Sequence, residues 1–325
     1  METRKIQITG KSTYIVTLPK KWAIKSGMEA GTLVNMSYQE DGSLIIIPPK
    51  KSEKAFVVKK LSMKGSLEEL KRQIIDTYIL GGYSVLEVKI DGVPEAKKEV
   101  KDLCRNLIGF EIVGGKGSKI LIQDFLDMDE FTIEAGLKRM ASLIFFMFNE
   151  LLEALRLEDY EALKGVVEKD IDVDTMFFLL SKLYISRLNL KKVSKNDNLN
   201  LIEAFYYRCV AENLKRIGVQ VVKVAQIFER EKFLDSEKYS AEGKEKFQEL
   251  GELTQQLVSD SVRAFRLSDF QLAKDTFNEI NTFEKQFFAL KSLEEVPSCG
   301  VLDSFDRIKD YAGNIAEFTL DLSQL

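Results

Sequence analysis

Apolar and polar positions change rhythm twice along the chain, marking three segments. Up to about residue 50 the period is two. Lys5-Ile6-Gln7-Ile8 alternates, breaks at Gly10-Lys11 and resumes through Thr13-Tyr14-Ile15-Val16-Thr17-Leu18, which predicts two strands. Pro19 suits the first position of a helix and Gly27 the left-handed residue that closes one, so Lys20 to Ser26 reads as a short helix. A strand from Thr32 to Tyr38, a turn at Asp41-Gly42 and a strand from Ser43 to Ile47 follow, stopped by Pro48-Pro49. Residues 53–126 alternate short apolar strands with amphipathic helices. Phe56-Val57-Val58 leads to a helix through Leu67, Leu70, Ile74 and Tyr78, ended by Gly81-Gly82; next come a strand at Val85 to Ile90, a helix from Pro94 to Leu107, and strands at Phe110 to Val113 and Lys119 to Gln123. This is a small α/β layer of βαβαββ type. From residue 127 to 325 the apolar spacing is that of long helices, with hardly a proline before Pro297.

The helical segment repeats itself. Arg156-Leu157-Glu158-Asp159-Tyr160 and Arg266-Leu267-Ser268-Asp269-Phe270 stand 110 residues apart, and the same offset aligns Val173-Asp174 with Phe283-Glu284. Further on the offset becomes 91, where Arg216-Ile217 meets Arg307-Ile308, so the first copy carries about nineteen extra residues near Ser194 to Asn200. Two three-helix repeats, about 128–230 and 238–325, are the simplest account. The aromatic pairs Phe145-Phe146 and Phe177-Phe178 read as bundle core.

Charge separates the segments. The net charge is -4, but residues 1–60 hold eleven Lys and Arg against five Asp and Glu, leaving about -10 for the rest. A basic end on an acidic body points to an anionic partner for that end. A fifty-residue head of short strands also buries too little to stand alone, and dimerisation is the natural remedy.

Histidine is absent, which removes Ser-His, Cys-His and His-ligated metal mechanisms. Cys104, Cys209 and Cys299 lie far apart with no paired spacing, so neither a zinc knuckle nor a disulfide framework is indicated. The longest apolar cluster, Leu143 to Phe148, is much shorter than a membrane span. These features together predict a cytoplasmic protein without membrane insertion. Gly114-Gly115-Lys116-Gly117-Ser118-Lys119 lacks the spacing of a phosphate loop and precedes a strand, so it reads as a hairpin turn. On the helices, Glu168 with Asp172 and Asp306 with Asp310 are carboxylates four apart, a spacing that puts both on one helix face. Hard oxygen ligands of this kind suit divalent or iron-type metal ions; a solvated acidic face is the other reading.

The order Gly10-Lys11-Ser12, Leu18-Pro19-Lys20-Lys21-Trp22 and Gly27-Met28-Glu29-Ala30-Gly31 resembles the AbrB/SpoVT family over residues 4–48. That resemblance implies hairpins from two chains interlaced into one swapped-hairpin β-barrel, with Arg4, Lys5, Lys11, Ser12, Lys20 and Lys21 as DNA-contact candidates. The run Asp306-Arg307-Ile308-Lys309-Asp310-Tyr311-Ala312-Gly313-Asn314-Ile315-Ala316-Glu317 resembles the closing helix of the PhoU family of phosphate-uptake regulators, and the two-repeat layout extends the likeness over about 128–325. The family binds metal through acidic pairs on the second and third helices of each repeat. Glu168 with Asp172 and Asp306 with Asp310 fit that pattern, whereas Lys215 with Val219 and Asn278 with Thr282 have lost it. One intact pair per repeat permits a single composite site or no metal.

The whole chain resembles the archaeal group of PhoU-type regulators with an AbrB-like head. The expected molecule is a multidomain α+β homodimer: a DNA-binding head over 1–50, an α/β domain over 53–126 and a helical bundle over 127–325. The implied function is transcriptional regulation of phosphate uptake, with a phosphate transporter or signalling protein as a further partner. The alternative is an accessory protein whose head only dimerises. A carboxylate-bridged metalloenzyme is disfavoured, because bundle sites of that class pair Glu with His; the chain is not expected to be an enzyme.

Overall fold

The computed structural model describes residues 3–10, 12–38, 42–48, 56–90, 94–128, 130–188, 198–231, 241–292 and 299–324. The chain divides into two compact units, Met1–Phe56 and Val57–Leu325.

In the first unit, β1 (Gln7–Thr9) and β2 (Thr13–Ile15) pair antiparallel, with Ile8 opposite Tyr14. The helix α1 (Lys20–Lys25) starts after Pro19 and closes on Gly27, whose φ of 66° is the left-handed conformation expected there. Strands β3 (Asn35–Tyr38) and β4 (Leu44–Ile47) form a second antiparallel pair. The strand expected from Thr32 begins only at Asn35, because Thr32 closes a turn: its amide donates to the Glu29 carbonyl and its hydroxyl accepts from the Glu29 amide. The two hairpins are separate two-stranded sheets, so the described residues of one chain do not close the expected barrel. Lys11 and Asp41, expected in the two turns, lie outside the described residues.

The second unit begins with the α/β layer. Its elements are β5 (Val58–Ser62), α2 (Leu67–Leu80), β6 (Val85–Lys89), α3 (Pro94–Arg105), β7 (Phe110–Gly114) and β8 (Lys119–Asp124). The sheet order is β5-β6-β8-β7, with β5 parallel to β6 and the other pairs antiparallel. Alternate residues of the central strands, Leu86 and Val88 of β6 and Ile120 and Ile122 of β8, meet Leu70, Ile74 and Tyr78 of α2 and Val100 and Cys104 of α3 in one buried core. The Gly-rich run expected as a turn connects β7 to β8, the Lys119 amide donating to the Lys116 carbonyl. Gly115 is required there, since its φ is 148° and a Cβ would collide with the Lys119 carbonyl.

The helices that follow are α4 (Ile133–Leu157), α5 (Tyr160–Glu168), α6 (Asp170–Leu188), α7 (Leu201–Glu231), α8 (Ala241–Leu267), α9 (Phe270–Lys291) and α10 (Cys299–Leu322). The repeat is visible in its turns. Glu158 and Ser268 end the first helix of each copy in the left-handed conformation, at φ 57° and 51°. Asp159 and Asp269 then cap the next helix, their carboxylates accepting from Ala162 and Leu272 amides. The second helix is continuous in the second copy but broken at Lys169 in the first, where Asp170 and Asp172 supply the acidic first turn that a new helix favours. The third helices α7 and α10 run antiparallel, as the pairs Tyr206 with Asp321 and Asn213 with Asn314 show. The extra residues expected near Ser194 to Asn200 lie mostly outside the described residues.

The α/β layer is docked on the first repeat. Phe178 of α6 packs against both cores. The Thr175 hydroxyl donates to the Asn106 carbonyl, and the Lys182 ammonium bonds Asp124 while lying over the ring of Tyr78. Lys182 is only 6% exposed; burial lowers its pKa, and Asp124 opposes that shift. Among the described residues no helix is long and apolar enough to cross a membrane.

Candidate functional site

Of the six cations and hydroxyls expected to face DNA, five are described and all five are exposed. Arg4 and Lys5 precede β1, Ser12 lies in the β1–β2 turn, and Lys20 and Lys21 form the first turn of α1; Lys11 lies outside the described residues. Lys25, in the last turn of the same helix, is a further exposed cation that the strand-and-turn motif did not single out. No residue described between 3 and 48 is buried. Ile6, Ile8, Tyr14, Ile24 and Met36 are more than half exposed, and Leu33 and Tyr38 reach 88% and 83%.

The four carboxylates expected to hold metal are placed differently from one another. Glu168 ends α5 and Asp172 lies in the first turn of α6, so the break at Lys169 separates them. Both are exposed, and Asp172 accepts from the Lys169 ammonium at 3.0 Å. The carboxylates of α6 that turn inward are Asp170 and Asp174 instead. Asp174 pairs with Lys215 of α7 at 2.8 Å. One carboxylate oxygen of Asp170 is buried without a hydrogen-bond partner; burial raises its pKa, Asp174 adds to the rise, and Lys215 opposes it.

In the second repeat Asp306 and Asp310 share one face of α10, as their spacing predicts, but that face already carries a cation. Lys309 lies 2.9 Å from Asp306 Oδ1, 3.0 Å from Asp310 Oδ1 and 3.9 Å from Glu284 Oε1 of α9. Burial pulls the Lys309 pKa down, yet the hydrogen bonds to Asp306 and Asp310 outweigh it and the net direction is upward, so the ammonium keeps its proton. Among the described residues no three carboxylates or thiols converge so as to hold a metal ion. The acidic spacing alone did not reveal Asp174, Lys215 or Glu284, which act across helix-to-helix contacts, nor Asp170 or Lys309, whose side chains turn back against their own acidic neighbours.

Cys104 and Cys209 offer little reactivity. Burial pushes the Cys104 thiol up to about 12 and also raises that of Cys209.

Comparison with known proteins adds two family matches. Residues 7–54 match the family described as antidote-toxin recognition MazE, bacterial antitoxin, and residues 137–228 match the PhoU domain. Among solved structures, the phosphate transport system regulatory protein PhoU from Streptococcus pneumoniae is similar at 20% identity over 59% of this chain and 93% of that one, with a TM-score of 0.49. PhoU from Pseudomonas aeruginosa is similar at 21% identity over 59% of this chain and 95% of that one, with a TM-score of 0.47. No curated protein matches the chain.

Proposed function

We propose that the chain is a dimeric, DNA-binding regulator of phosphate uptake, in which the head grips DNA and the helical body senses phosphate status or docks on a transporter or signalling partner. The observation that carries this reading is the head itself. Its described residues bury no side chain, expose isoleucines, tyrosines and leucine, and present Arg4, Lys5, Lys20 and Lys21 to solvent. Apolar surface is worth about 25 cal/mol per Å² when removed from water, so a second head is the surface that completes this one. Two pairs of hairpins closing into one barrel would leave the cations on its outside, where phosphates can reach them.

The MazE match covers the same residues and is compatible with DNA binding, and the PhoU match supports the phosphate half. Neither matched family is a catalytic one. Phosphate contacts displace condensed counterions, and affinity must then fall as salt rises. Gel shifts of the full chain, on DNA from upstream of phosphate-transport genes, are therefore expected to weaken at least about a hundredfold between about 50 and 200 mM salt. Lys20→Ala with Lys21→Ala should flatten that dependence by about two to four in slope per dimer. Absence of any salt-sensitive affinity overturns the reading and leaves an accessory protein whose head serves self-association.

A further inference from the structure

Acidic groups gather at two equivalent places in the body, the seams where the second helix of each repeat meets the third. In both seams an ammonium already stands among them. Lys309 bridges Asp306 and Asp310 at 2.9 and 3.0 Å, with Glu284 at 3.9 Å, and its side chain is only 11% exposed. Its ammonium lies 5.8 Å from the centre of the Phe283 ring. In the first repeat Lys215 stands 2.8 Å from Asp174, and 4.8 and 4.9 Å from the rings of Phe177 and Phe178. Lys215 and Asp306 are 91 residues apart, and Asp174 and Glu284 are 110 apart, the two offsets that align the repeats. One seam has therefore exchanged an acidic position for a lysine, and the other has drawn a neighbouring lysine into its acidic pair.

We propose that these lysines are the resident cations of the seams: Lys309 holds Asp306 and Asp310 in place of a divalent ion, and its removal uncovers a latent oxygen-ligand site for one. Like-charged carboxylates on one helix face need a neutralising cation, and an ammonium at hydrogen-bond distance from both supplies it without any ion from solution. A divalent metal needs oxygens at about 2.0 to 2.6 Å on most sides, which the ammonium prevents by occupying that space and by repelling a second cation. The flanking phenylalanines add to the case, since a ring face attracts a desolvated ammonium on a flexible stem.

The test uses full-length protein stripped with chelator and titrated with Mn²⁺, free Mn²⁺ being read by electron paramagnetic resonance and folding by circular dichroism. The unaltered chain is expected to take up no stoichiometric Mn²⁺. Lys309→Met, which keeps the apolar stem, and Lys309→Ala are each expected to bind one Mn²⁺ at least about tenfold more tightly and to melt at higher temperature in its presence. Adding Asp306→Asn and Asp310→Asn should abolish both effects. Uptake by the unaltered chain that is lost in Asp306→Asn/Asp310→Asn overturns the proposal, and so does a folded Lys309→Met protein that binds none. Should both Lys309 variants fail to fold, the unaltered chain compared with Asp306→Asn/Asp310→Asn decides on its own.

Discussion

Leu33 in the head leaves 88% of its surface in water, while Phe148 and Phe228 in the bundle leave none. The two regions differ in element length. The head is built from strands of three or four residues and a helix of six, whereas the third helix of the first repeat alone runs 31. Short elements have little interior to share, so a fold made from them leaves its apolar residues at the surface unless another chain covers them. Long amphipathic helices bury whole stripes within one chain. The body's stability is therefore internal, and under the proposed dimer the head's comes from the second chain.

The largest test of this contrast is core truncation. Phe148→Ala should cost the body about 3–5 kcal/mol in chemical denaturation, while Leu33→Ala in a head diluted to monomer should change stability by less than about 0.5 kcal/mol. Next comes the buried ion pair. Lys182→Met leaves Asp124 with an uncompensated charge and should destabilise the body by about 3 kcal/mol; adding Asp124→Asn should recover most of the loss, because the amide oxygen still accepts from the Leu126 amide. Equal losses in the single and double variants would show that packing of the lysine stem, not charge, dominates there.

If the head dimerises as proposed, dilution should act on it. Each tenfold dilution should remove about 1.4 kcal/mol from a dimer-coupled head transition and nothing from the body transition, as calorimetry at several concentrations can show. A head transition indifferent to concentration would mean that one chain suffices.

The smallest effect lies at Asp170. Its folded pKa is raised, so the contribution of its titration is favourable below the unfolded carboxylate value and is lost as pH rises through the folded one. Asp170→Asn should therefore stabilise the body slightly at pH 7, with a gain that fades at pH 4. A gain constant across that range would point to helix propensity instead.

Local signals carried much of the architecture. Alternation and Gly-bounded turns located every element of the α/β layer but its first to within two or three residues, since those elements are set by period and punctuation; the strand expected at Phe56 to Val58 instead runs Val58–Ser62. The Leu-x-Asp-aromatic motif, which the sequence shows only as a repeat, falls on both inter-helix turns, because its second and third residues are the left-handed and capping positions themselves. The broken second helix was less legible. A spacing of four implies one continuous helix, and Asp170 and Asp172 gain more by opening a new one than by staying inside the old. Lys182 with Asp124 was invisible, since 58 residues separate them and nothing local marks either. Lys309 sat in plain view within the acidic pair, but helical spacing assigns faces without saying which long side chain folds back across them.

The sharing of Phe178 between two cores has a consequence for motion. An α/β layer that touched the bundle only through water could open by itself, exchanging the amides of β6 and β8 with solvent on its own schedule. Here the layer cannot lift without uncovering that ring and stranding the Lys182 charge, so its slowest amides and those of α6 should exchange through a single opening event. The segment that follows the head is thus part of the same cooperative body as the first repeat.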